Sequence, residues 1–297
     1  MTRPARIKAA QYPITAATSF ADWQAGLGDW VAEGARDGAD LLLFPEYGAM
    51  ELAALLDPAD QGDLAREIAG MQALLPGFLE THADLAGRHR LHVAASSFPV
   101  RQPDGSYRNR VHVFGPDGAM AAQDKIVMTR FEREEWDITG GSDGLAVIDT
   151  GFARLGVAIC YDVEFPLIAR ALVEAGAEII LAPSCTDTLA GYHRVWVGAR
   201  SRALENQCIV AVSPTVGSAP WSLAVDENRG RAGIFSAPDR GLPDDGILAA
   251  GELDQPGWIA ATVDLDAIAR VRREGQVLNH RDWPEQQVPG AVRVCRI

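Results

Sequence analysis

Apolar and polar positions along the chain follow two patterns, one of helices and one of buried strands. Trp23, Leu27 and Val31 recur at helical spacing after Ser19, so we predict a helix with Ser19 as its N-cap. Residues 39–46 form an almost continuous apolar run that is stopped by a proline, which is typical of a strand buried on both faces. The alternation of such elements predicts an α/β fold.

The same two patterns continue to about residue 273. Apolar runs predict further strands at residues 7–11, 91–98, 110–115, 145–150, 153–160, 178–184 and 208–213, and mostly strand between 232 and 264. Helical patterns predict helices at residues 63–90, 166–176, 192–206 and 265–273. We expect the first of these to be interrupted near Pro76 and Gly77, whereas Pro166 stands at a helix start, where proline is favoured.

One stretch of sequence occurs twice in altered form. Residues 33–46 and 173–185 both contain a helix end with glycine, then an alanine next to an acid, then an apolar strand stopped by proline. Two similarly built halves would pair their sheets face to face, with helices outside. No linker-like segment divides the chain, so we predict one domain over residues 1–297.

Composition and charge narrow the choice of partners. The chain has 297 residues, 47% of them hydrophobic, and a formal net charge of -13. This charge argues against nucleic acid and anionic membranes, because both require clustered Lys and Arg. No apolar run approaches the length of a membrane span. We therefore expect neither a nucleic acid nor a membrane as partner.

The cysteines and the N-terminus favour the cytoplasm as the location. The four cysteines are widely spaced and form no C-x-x-C motif, so neither a disulfide framework nor a structural zinc site is indicated. The N-terminal residues contain no apolar segment of a signal peptide. In a reducing compartment a thiol stays free for chemistry.

Cys160 is the first candidate for that chemistry. It ends a predicted strand shortly before the helix that starts at Pro166, so we expect its thiol at a sharp turn. A nearby helix N-terminus would favour the thiolate, and cysteine is the most nucleophilic side chain near neutral pH. The alternative is a small buried hydrophobic residue, the usual role of a free cysteine.

Glu46 and Lys125 are the next two candidates. Glu46 lies at the carboxyl end of a buried strand, where α/β proteins place their sites, and apolar neighbours would raise its pKa toward that of a general base. Lys125 follows the strand-like segment 119–124, and its ammonium group near a thiol would stabilise an oxyanion. Taken singly, Glu46 is also compatible with a solvated loop acid or a helix cap, and Lys125 with an ordinary surface charge.

Together these residues carry a resemblance to a known family. The motifs at Phe44–Glu46, Asp124–Lys125 and around Cys160, in this order and spacing, resemble the nitrilase superfamily of carbon–nitrogen hydrolases. Segments 201–213 and 228–235 are similar to later motifs of that family, so the resemblance extends from residue 7 to about 273. It implies a four-layer αββα sandwich with two pseudo-symmetric halves, in agreement with the repeated stretch.

The resemblance also implies roles for individual residues. Cys160 would be the nucleophile, Glu46 the general base and Lys125 the oxyanion partner, with the backbone N–H of Tyr161 as the second oxyanion donor. The implied reaction cleaves a small linear amide to a carboxylic acid and ammonia or an amine through a thioester, with no metal or organic cofactor.

Members of this family carry a second glutamate after the lysine, which orients the substrate and the lysine. The candidates here are Glu132, Glu134 and Glu135. Glu132 is preferred because its neighbours stand where similar sequences place this residue. A carboxylate at this point would also balance the charge of a buried lysine.

Several positions bear on the substrate. Tyr161 and Asp162 stand where nitrilases of the family usually have Trp-Glu, which favours amides over nitriles. Val127 replaces a histidine of many relatives, so a ring that could tune the site is missing. Glu164 replaces an arginine of many related amidases, and neither it nor Val163 could hold a substrate carboxylate, so a free carboxylate near the scissile bond is expected to be disfavoured. Alternatively, Glu164 caps the following helix.

Four residues are candidates for binding the substrate: Tyr47, Trp136, Glu164 and His193. Relatives in the family commonly form dimers, so we expect a homodimer or a higher homo-oligomer. Residues 274–297, which include Trp283 and Val288, would form a C-terminal extension at such an interface.

Other functions are compatible with parts of this pattern. The same three residues would serve a nitrilase, an N-carbamoyl hydrolase or an N-acyltransferase. A catalytically silent binding or scaffold protein would have no chemical reason to keep all three. A zinc hydrolase lacks a ligand motif among the six histidines. A cysteine–histidine hydrolase would lose activity on replacement of a histidine but tolerate Glu46→Gln.

Overall fold

The predicted strands and helices of the first half are present, with small shifts at their ends. The computed structural model describes residues 2–286 and 294–296. The strands are β1 (Pro4–Pro13), β2 (Leu41–Leu43), β3 (His92–Ala94), β4 (Phe98–Arg101), β5 (Tyr107–Phe114) and β6 (Met120–Asp124). The helices are α1 (Phe20–Ala35), α2 (Leu64–Met71), α3 (Leu75–His89) and α4 (Arg130–Glu134), with a 3₁₀ helix at Gly48–Leu55.

The second half follows the same alternation. Its strands are β7 (Val147–Asp149), β8 (Arg154–Val157), β9 (Ile179–Ser184), β10 (Ile209–Ser218), β11 (Glu227–Asn228), β12 (Gly233–Phe235), β13 (Ile247–Ala250) and β14 (Gly257–Asp264). Its helices are α5 (Pro166–Glu174), α6 (Leu189–Asn206), α7 (Leu265–Glu274) and α8 (Asn279–Asp282), with 3₁₀ helices at Cys160–Glu164 and Trp283–Gln286.

Each half contains three parallel strands, β1–β2–β3 in the first and β8–β9–β10 in the second. Antiparallel strands extend both sheets, β4, β5, β6 and β14 on one and β7, β12 and β13 on the other. The two sheets pair strand to strand where Tyr12 and Pro13 of β1 lie beside Thr215 and Val216 of β10. The two sheets therefore join at the carboxyl ends of these strands and diverge from there.

Buried side chains show how the layers are stacked. Ala5 and Ile7 of β1 project from one face and share a hydrophobic core with β8, β9 and β10, and with α5 and α6 beyond them. Ala10 and Leu42 project from the opposite face and pack with α1 and α3. Two sheets in contact, with helices outside each, form the four-layer αββα sandwich that the sequence predicted.

Local signals at the helix ends are partly confirmed. The Ser19 side chain accepts a hydrogen bond from the Asp22 N–H at the start of α1, as predicted. Pro76 lies in the first turn of α3, so it begins a second helix after the break. Phe165 is the N-cap of α5 and makes no side-chain cap, so the alternative that Glu164 caps this helix is wrong.

No helix within residues 2–286 or 294–296 has the length and apolarity needed to cross a membrane.

The carboxyl ends of the strands meet at one edge of the sandwich. Glu46 follows β2, Lys125 follows β6, Cys160 follows β8 and Cys185 follows β9. Loops at this edge of parallel strands are the usual position of α/β active sites. The fold therefore brings residues that lie far apart in sequence to one place.

Candidate active site

Three charged side chains meet inside the protein at this edge. Lys125 Nζ lies 2.8 Å from Glu46 Oε1 and 2.7 Å from Glu132 Oε2, and none of the three side chains is more than 3% exposed. Glu134, in contrast, pairs with Arg130 at the surface. Of the candidates for the second glutamate, the structure thus places Glu132 against the lysine, and a buried cation is matched by two carboxylates.

Cys160 lies beside these charges in a constrained turn. Its backbone has φ +47°, in the left-handed region that non-glycine residues rarely adopt, so the turn is held in place by its surroundings. The side chain is buried, and its Sγ donates a hydrogen bond to the carbonyl oxygen of Cys185 at 3.6 Å. We call Glu46, Lys125, Glu132 and Cys160 the buried cluster.

Asp162 connects this turn to the segment that follows Lys125. Its carboxylate accepts hydrogen bonds from the backbone N–H groups of Val127 at 2.8 Å and Ile126 at 3.1 Å, and from that of Ile159 at 3.3 Å. From the sequence, Asp162 bears only on the choice between amide and nitrile substrates. In the structure it also fixes the turn of Cys160 against the strand end that carries the lysine.

The surroundings of Cys160 favour its thiol over the thiolate. Burial raises the pKa of the thiol well above its usual value and the charge of Glu46 raises it further, whereas the Lys125 ammonium lowers it too little to compensate. The expectation that the nearby helix N-terminus favours the thiolate is therefore wrong for the resting site. The thiol needs a base, and the Glu46 carboxylate adjoins it: the N–H of Cys185 donates to Glu46 Oε2, and the carbonyl of Cys185 accepts from the thiol.

The environment distinguishes the two carboxylates. Burial raises the pKa of Glu46, and the charge and hydrogen bond of Lys125 do not cancel that effect. Burial also raises the pKa of Glu132, but the charge and hydrogen bond of Lys125 outweigh it and the pKa falls below its usual value. The pKa of Lys125 stays well above its usual value, because the two carboxylates outweigh its burial. Because the two pKa values shift in opposite directions, Glu46 is suited to proton transfer and Glu132 to carrying a fixed negative charge.

Besides Lys125, Glu46 is held by Asn109, Thr215 and the backbone of Cys185, none of which the sequence predicts as a site residue. Its Oε1 accepts hydrogen bonds from Lys125 Nζ and, at 2.9 Å, from Asn109 Nδ2. Its Oε2 accepts from the backbone N–H of Cys185 at 2.9 Å, and its carbonyl accepts from Thr215 Oγ1 at 2.7 Å. A signal for Cys185 existed, since it ends the second copy of the repeated stretch as Glu46 ends the first.

Glu132 is held by the start of α4. Its Oε2 accepts hydrogen bonds from both the hydroxyl and the backbone N–H of Thr129, at 2.8 and 2.9 Å, in a capping box. The Tyr47 hydroxyl donates to its Oε1 at 2.8 Å. The ring of Tyr47 in turn packs on Trp136, with centroids 4.5 Å apart. Two candidates for substrate binding, Tyr47 and Trp136, thus adjoin the buried cluster.

The other two candidates, Glu164 and His193, lie together in a surface groove of about 600 Å³. Their groove is lined by residues of α6 and does not include any member of the buried cluster. The Glu164 carboxylate lies 3.7 Å from Arg194, which leaves its charge partly neutralised. Their role in substrate binding stays a prediction.

Tyr161 is the second residue of the 3₁₀ helix that begins at Cys160. A backbone N–H in the first turn of a helix has no partner within the helix, so it is available to a ligand. Its assignment as an oxyanion donor stays a prediction.

A thiol, a carboxylate with a raised pKa and a lysine are buried together at the carboxyl edge of an αββα sandwich, an arrangement suited to nucleophilic catalysis by cysteine. Within residues 2–286 and 294–296, no group of three His, Cys, Asp or Glu side chains is arranged to hold a metal ion. The carbon-nitrogen hydrolase family matches residues 6–273, and the chain belongs to that family. The resemblance to the nitrilase superfamily found in the sequence is thereby confirmed.

Individual relatives show how far the similarity extends. A Bacillus subtilis (strain 168) protein named "Probable hydrolase YhcX" is 30% identical over 279 residues, which cover 94% of this chain but only 53% of that relative. The "Deaminated glutathione amidase" of Bos taurus is 28% identical over 263 residues, or 84% of this chain and 74% of its own. The crystal structure of a carbon-nitrogen hydrolase from Helicobacter pylori G27 has 18% identity and a TM-score of 0.75, over 95% of this chain and 94% of that one.

Proposed function

We propose that the chain hydrolyses a small linear amide to a carboxylic acid and ammonia or an amine, through a thioester on Cys160. The observation that carries this proposal is the position of Glu46, which pairs with Lys125 and shares with the Cys160 thiol a hydrogen-bonding partner, the backbone of Cys185. Relatives named as amidases, including the Bos taurus protein, support an amide over a nitrile as substrate.

In the first half of the reaction, Glu46 accepts the thiol proton while the sulfur of Cys160 attacks the carbonyl carbon. The Lys125 ammonium and the backbone N–H of Tyr161 stabilise the negative charge that develops on the carbonyl oxygen. Glu46 returns its proton to the leaving nitrogen as the C–N bond breaks. The acyl group stays on the sulfur as a thioester.

In the second half, water replaces the nitrogen group. Glu46 takes a proton from the water molecule as its oxygen attacks the thioester carbonyl. The C–S bond breaks, the acid leaves, and the proton returns to the sulfur of Cys160. The net reaction consumes one water molecule and regenerates the thiol.

The surroundings of the buried cluster favour a small, uncharged acyl group. Cys160 is only 4% exposed, so little room exists around the sulfur. The Nε1 of Trp136 is buried without a hydrogen-bond partner among the described residues, and a substrate oxygen would satisfy it. Glu164 adds negative charge near the site, although Arg194 weakens it. We therefore propose neutral or amine-bearing amides, bound with the help of Tyr47 and Trp136.

The proposal is tested by a screen for released ammonia over matched amides, nitriles and carbamoyl compounds. We expect release from small amides by the wild type and by Cys208→Ala, which removes a buried thiol elsewhere, but not by Cys160→Ala. Mass spectrometry of quenched reactions should find the acyl group on Cys160. Activity in Cys160→Ala would refute the mechanism. A preference for nitriles or carbamoyl compounds would instead support the alternative function of a nitrilase or an N-carbamoyl hydrolase.

We also propose that the protein acts in the cytoplasm as a homodimer. All four cysteines are free thiols, which suits a reducing compartment. Leu189, Val197 and Leu204 form an exposed apolar stripe along α6, and Leu167 of α5 is 71% exposed. Surfaces of this kind are commonly covered by another subunit.

The C-terminal extension of 274–297 stays a prediction as part of that interface. Trp283 packs over the guanidinium of Arg170 in α5 of the same chain, at 5.0 Å from the ring centroid. Val288 lies outside the described residues.

A further inference from the structure

Asn109 of β5 contacts every charged member of the buried cluster. Its Nδ2 lies 2.9 Å from Glu46 Oε1 and 3.2 Å from Glu132 Oε1. Its backbone carbonyl accepts a hydrogen bond from the backbone N–H of Lys125 at 2.9 Å. The residue is fully buried. An amide nitrogen has two hydrogens, so the side chain is able to donate one to each carboxylate.

The orientation of this amide is determined by charge. The opposite orientation would place Oδ1 against two negatively charged oxygens. In the observed orientation, Oδ1 is buried with no hydrogen-bond partner among the described residues. A buried acceptor without a partner costs stability, so this side chain is not optimised for the fold alone. Its contribution lies in the two bonds that Nδ2 makes.

These bonds leave the two oxygens of Glu46 unequal. Each carboxylate oxygen has two lone pairs. Both pairs on Oε1 are engaged, by Lys125 Nζ and Asn109 Nδ2, whereas Oε2 accepts one hydrogen bond, from the Cys185 N–H. The carbonyl of Cys185 in turn accepts the Cys160 thiol. The oxygen with a free lone pair is therefore the one on the side of the nucleophile.

We propose that Asn109 is a positioning residue that saturates Oε1 of Glu46 and so directs the proton from Cys160 to Oε2. The proposal rests on the role of Glu46 as base in the proposed function. Without Asn109, Oε1 gains a free lone pair beside Lys125, and a proton that binds there is remote from the leaving nitrogen. The two carboxylates also lose the donor between them.

The experiment compares Asn109→Leu with the wild type by the rate at which iodoacetamide alkylates Cys160, followed by peptide mass spectrometry from pH 4 to 9. Hydrogen bonds to a carboxylate favour its charged form, so loss of the donor raises the pKa of Glu46. We expect the acid limb of the profile, over which the alkylation rate rises with pH, to move to higher pH by about one unit. The value of kcat for an amide identified in the screen should fall about 10- to 100-fold at neutral pH.

Val111→Ala is the matched control, because Val111 is buried on the same face of β5 two residues further on. It loses packing but no donor, so its acid limb should coincide with that of the wild type. Glu46→Gln serves as the reference in which the acid limb disappears. An unchanged acid limb in a folded Asn109→Leu protein would overturn the proposal.

Asn109→Asp provides a second variant of nearly the same shape in case the leucine is not accommodated. It places a third carboxyl group against the other two, and we expect an upward shift at least as large. An acid limb at the wild-type position would overturn the proposal here too. Alkylation needs no substrate, so this result is independent of whether the wild type hydrolyses amides.

Discussion

At Cys160, the backbone is constrained while the side chain is unreactive at rest. The left-handed turn aims the sulfur at the cluster, but burial and the Glu46 charge keep the proton on it. A buried thiol of this kind reacts slowly with alkylating agents and oxidants, which attack the thiolate. In the proposed mechanism, its reactivity depends on proton transfer to Glu46.

The first prediction concerns that transfer. Glu46→Gln keeps the shape of the side chain and an oxygen for Lys125, but it removes the base. We expect kcat to fall about 10²- to 10⁴-fold, with a smaller change in KM, because proton transfer contributes at this scale. Steady-state kinetics on an amide measure both values. Glu134→Gln, on the surface of α4, should behave as the wild type. Near-normal activity of Glu46→Gln would support a cysteine–histidine mechanism instead.

Single residues also show how far the sequence defines the site. Glu46, Lys125 and Cys160 were recognisable because their side chains form motifs in a fixed order. Asn109 was not recognisable, because its role depends on which face of β5 is buried against Glu46. The Cys185 N–H had no signal at all in residue type, since every residue except proline has the same backbone donor.

Among the elements, the sequence predicted the buried strands best and the short helices worst. An apolar run such as that of β2 identifies a buried strand directly. The 3₁₀ helix Gly48–Leu55 was not predicted, because it depends on distant contacts. It follows Tyr47, whose backbone has φ +52° and whose N–H donates to Ser97 Oγ at 2.8 Å. Elements that adjoin the site are thus fixed by the assembled fold and not by local pattern.

A second prediction concerns Glu51 within that 3₁₀ helix. Its buried carboxylate accepts hydrogen bonds from the Tyr12 hydroxyl at 2.9 Å and the Thr15 N–H at 2.9 Å. Burial nevertheless raises the pKa of Glu51 to about 7. A carboxyl group whose pKa is raised by folding stabilises the fold at low pH, and this stabilisation is lost as pH rises through about 7.

We therefore expect the free energy of unfolding of the wild type to fall between pH 5 and pH 8 by on the order of 2–3 kcal/mol more than that of Glu51→Gln. The glutamine retains an acceptor for Thr15 and does not titrate. Urea unfolding of both proteins at the two pH values measures this difference. Glu134→Gln controls for the loss of an ordinary surface carboxylate. Equal pH dependence in Glu51→Gln and wild type would show that Glu51 titrates normally.

At the scale of the whole molecule, the site exists only where the two halves meet. Glu46 and Lys125 come from the first half and Cys160 from the second, and the sheets join by four paired residues next to them. The repeated stretch revealed the two halves, and the family resemblance gave their stacking. The sequence did not reveal the exposed apolar surface of α6, because exposed apolar residues are recognised only once the positions of the helices are known.

The third prediction concerns that surface. Leu189, Val197 and Leu204 are 42%, 60% and 42% exposed, and their spacing of eight and seven residues aligns them along one face of α6. Isolated exposed apolar side chains are ordinary, but an aligned row beside a groove indicates an interface. Because a two-fold axis brings the same face of both subunits together, one substitution changes the interface twice.

Val197→Glu should therefore convert the protein from a dimer to a monomer. Sedimentation velocity should give a mass of twice 31.9 kDa for the wild type and 31.9 kDa for the variant. Leu223→Glu is the matched control, because Leu223 is 55% exposed but lies outside α6, and it should stay dimeric. A wild type that sediments as a monomer at high concentration would refute the proposed dimer. A dimer that tolerates Val197→Glu would place the interface elsewhere, since two glutamates buried against each other at this position would destabilise it.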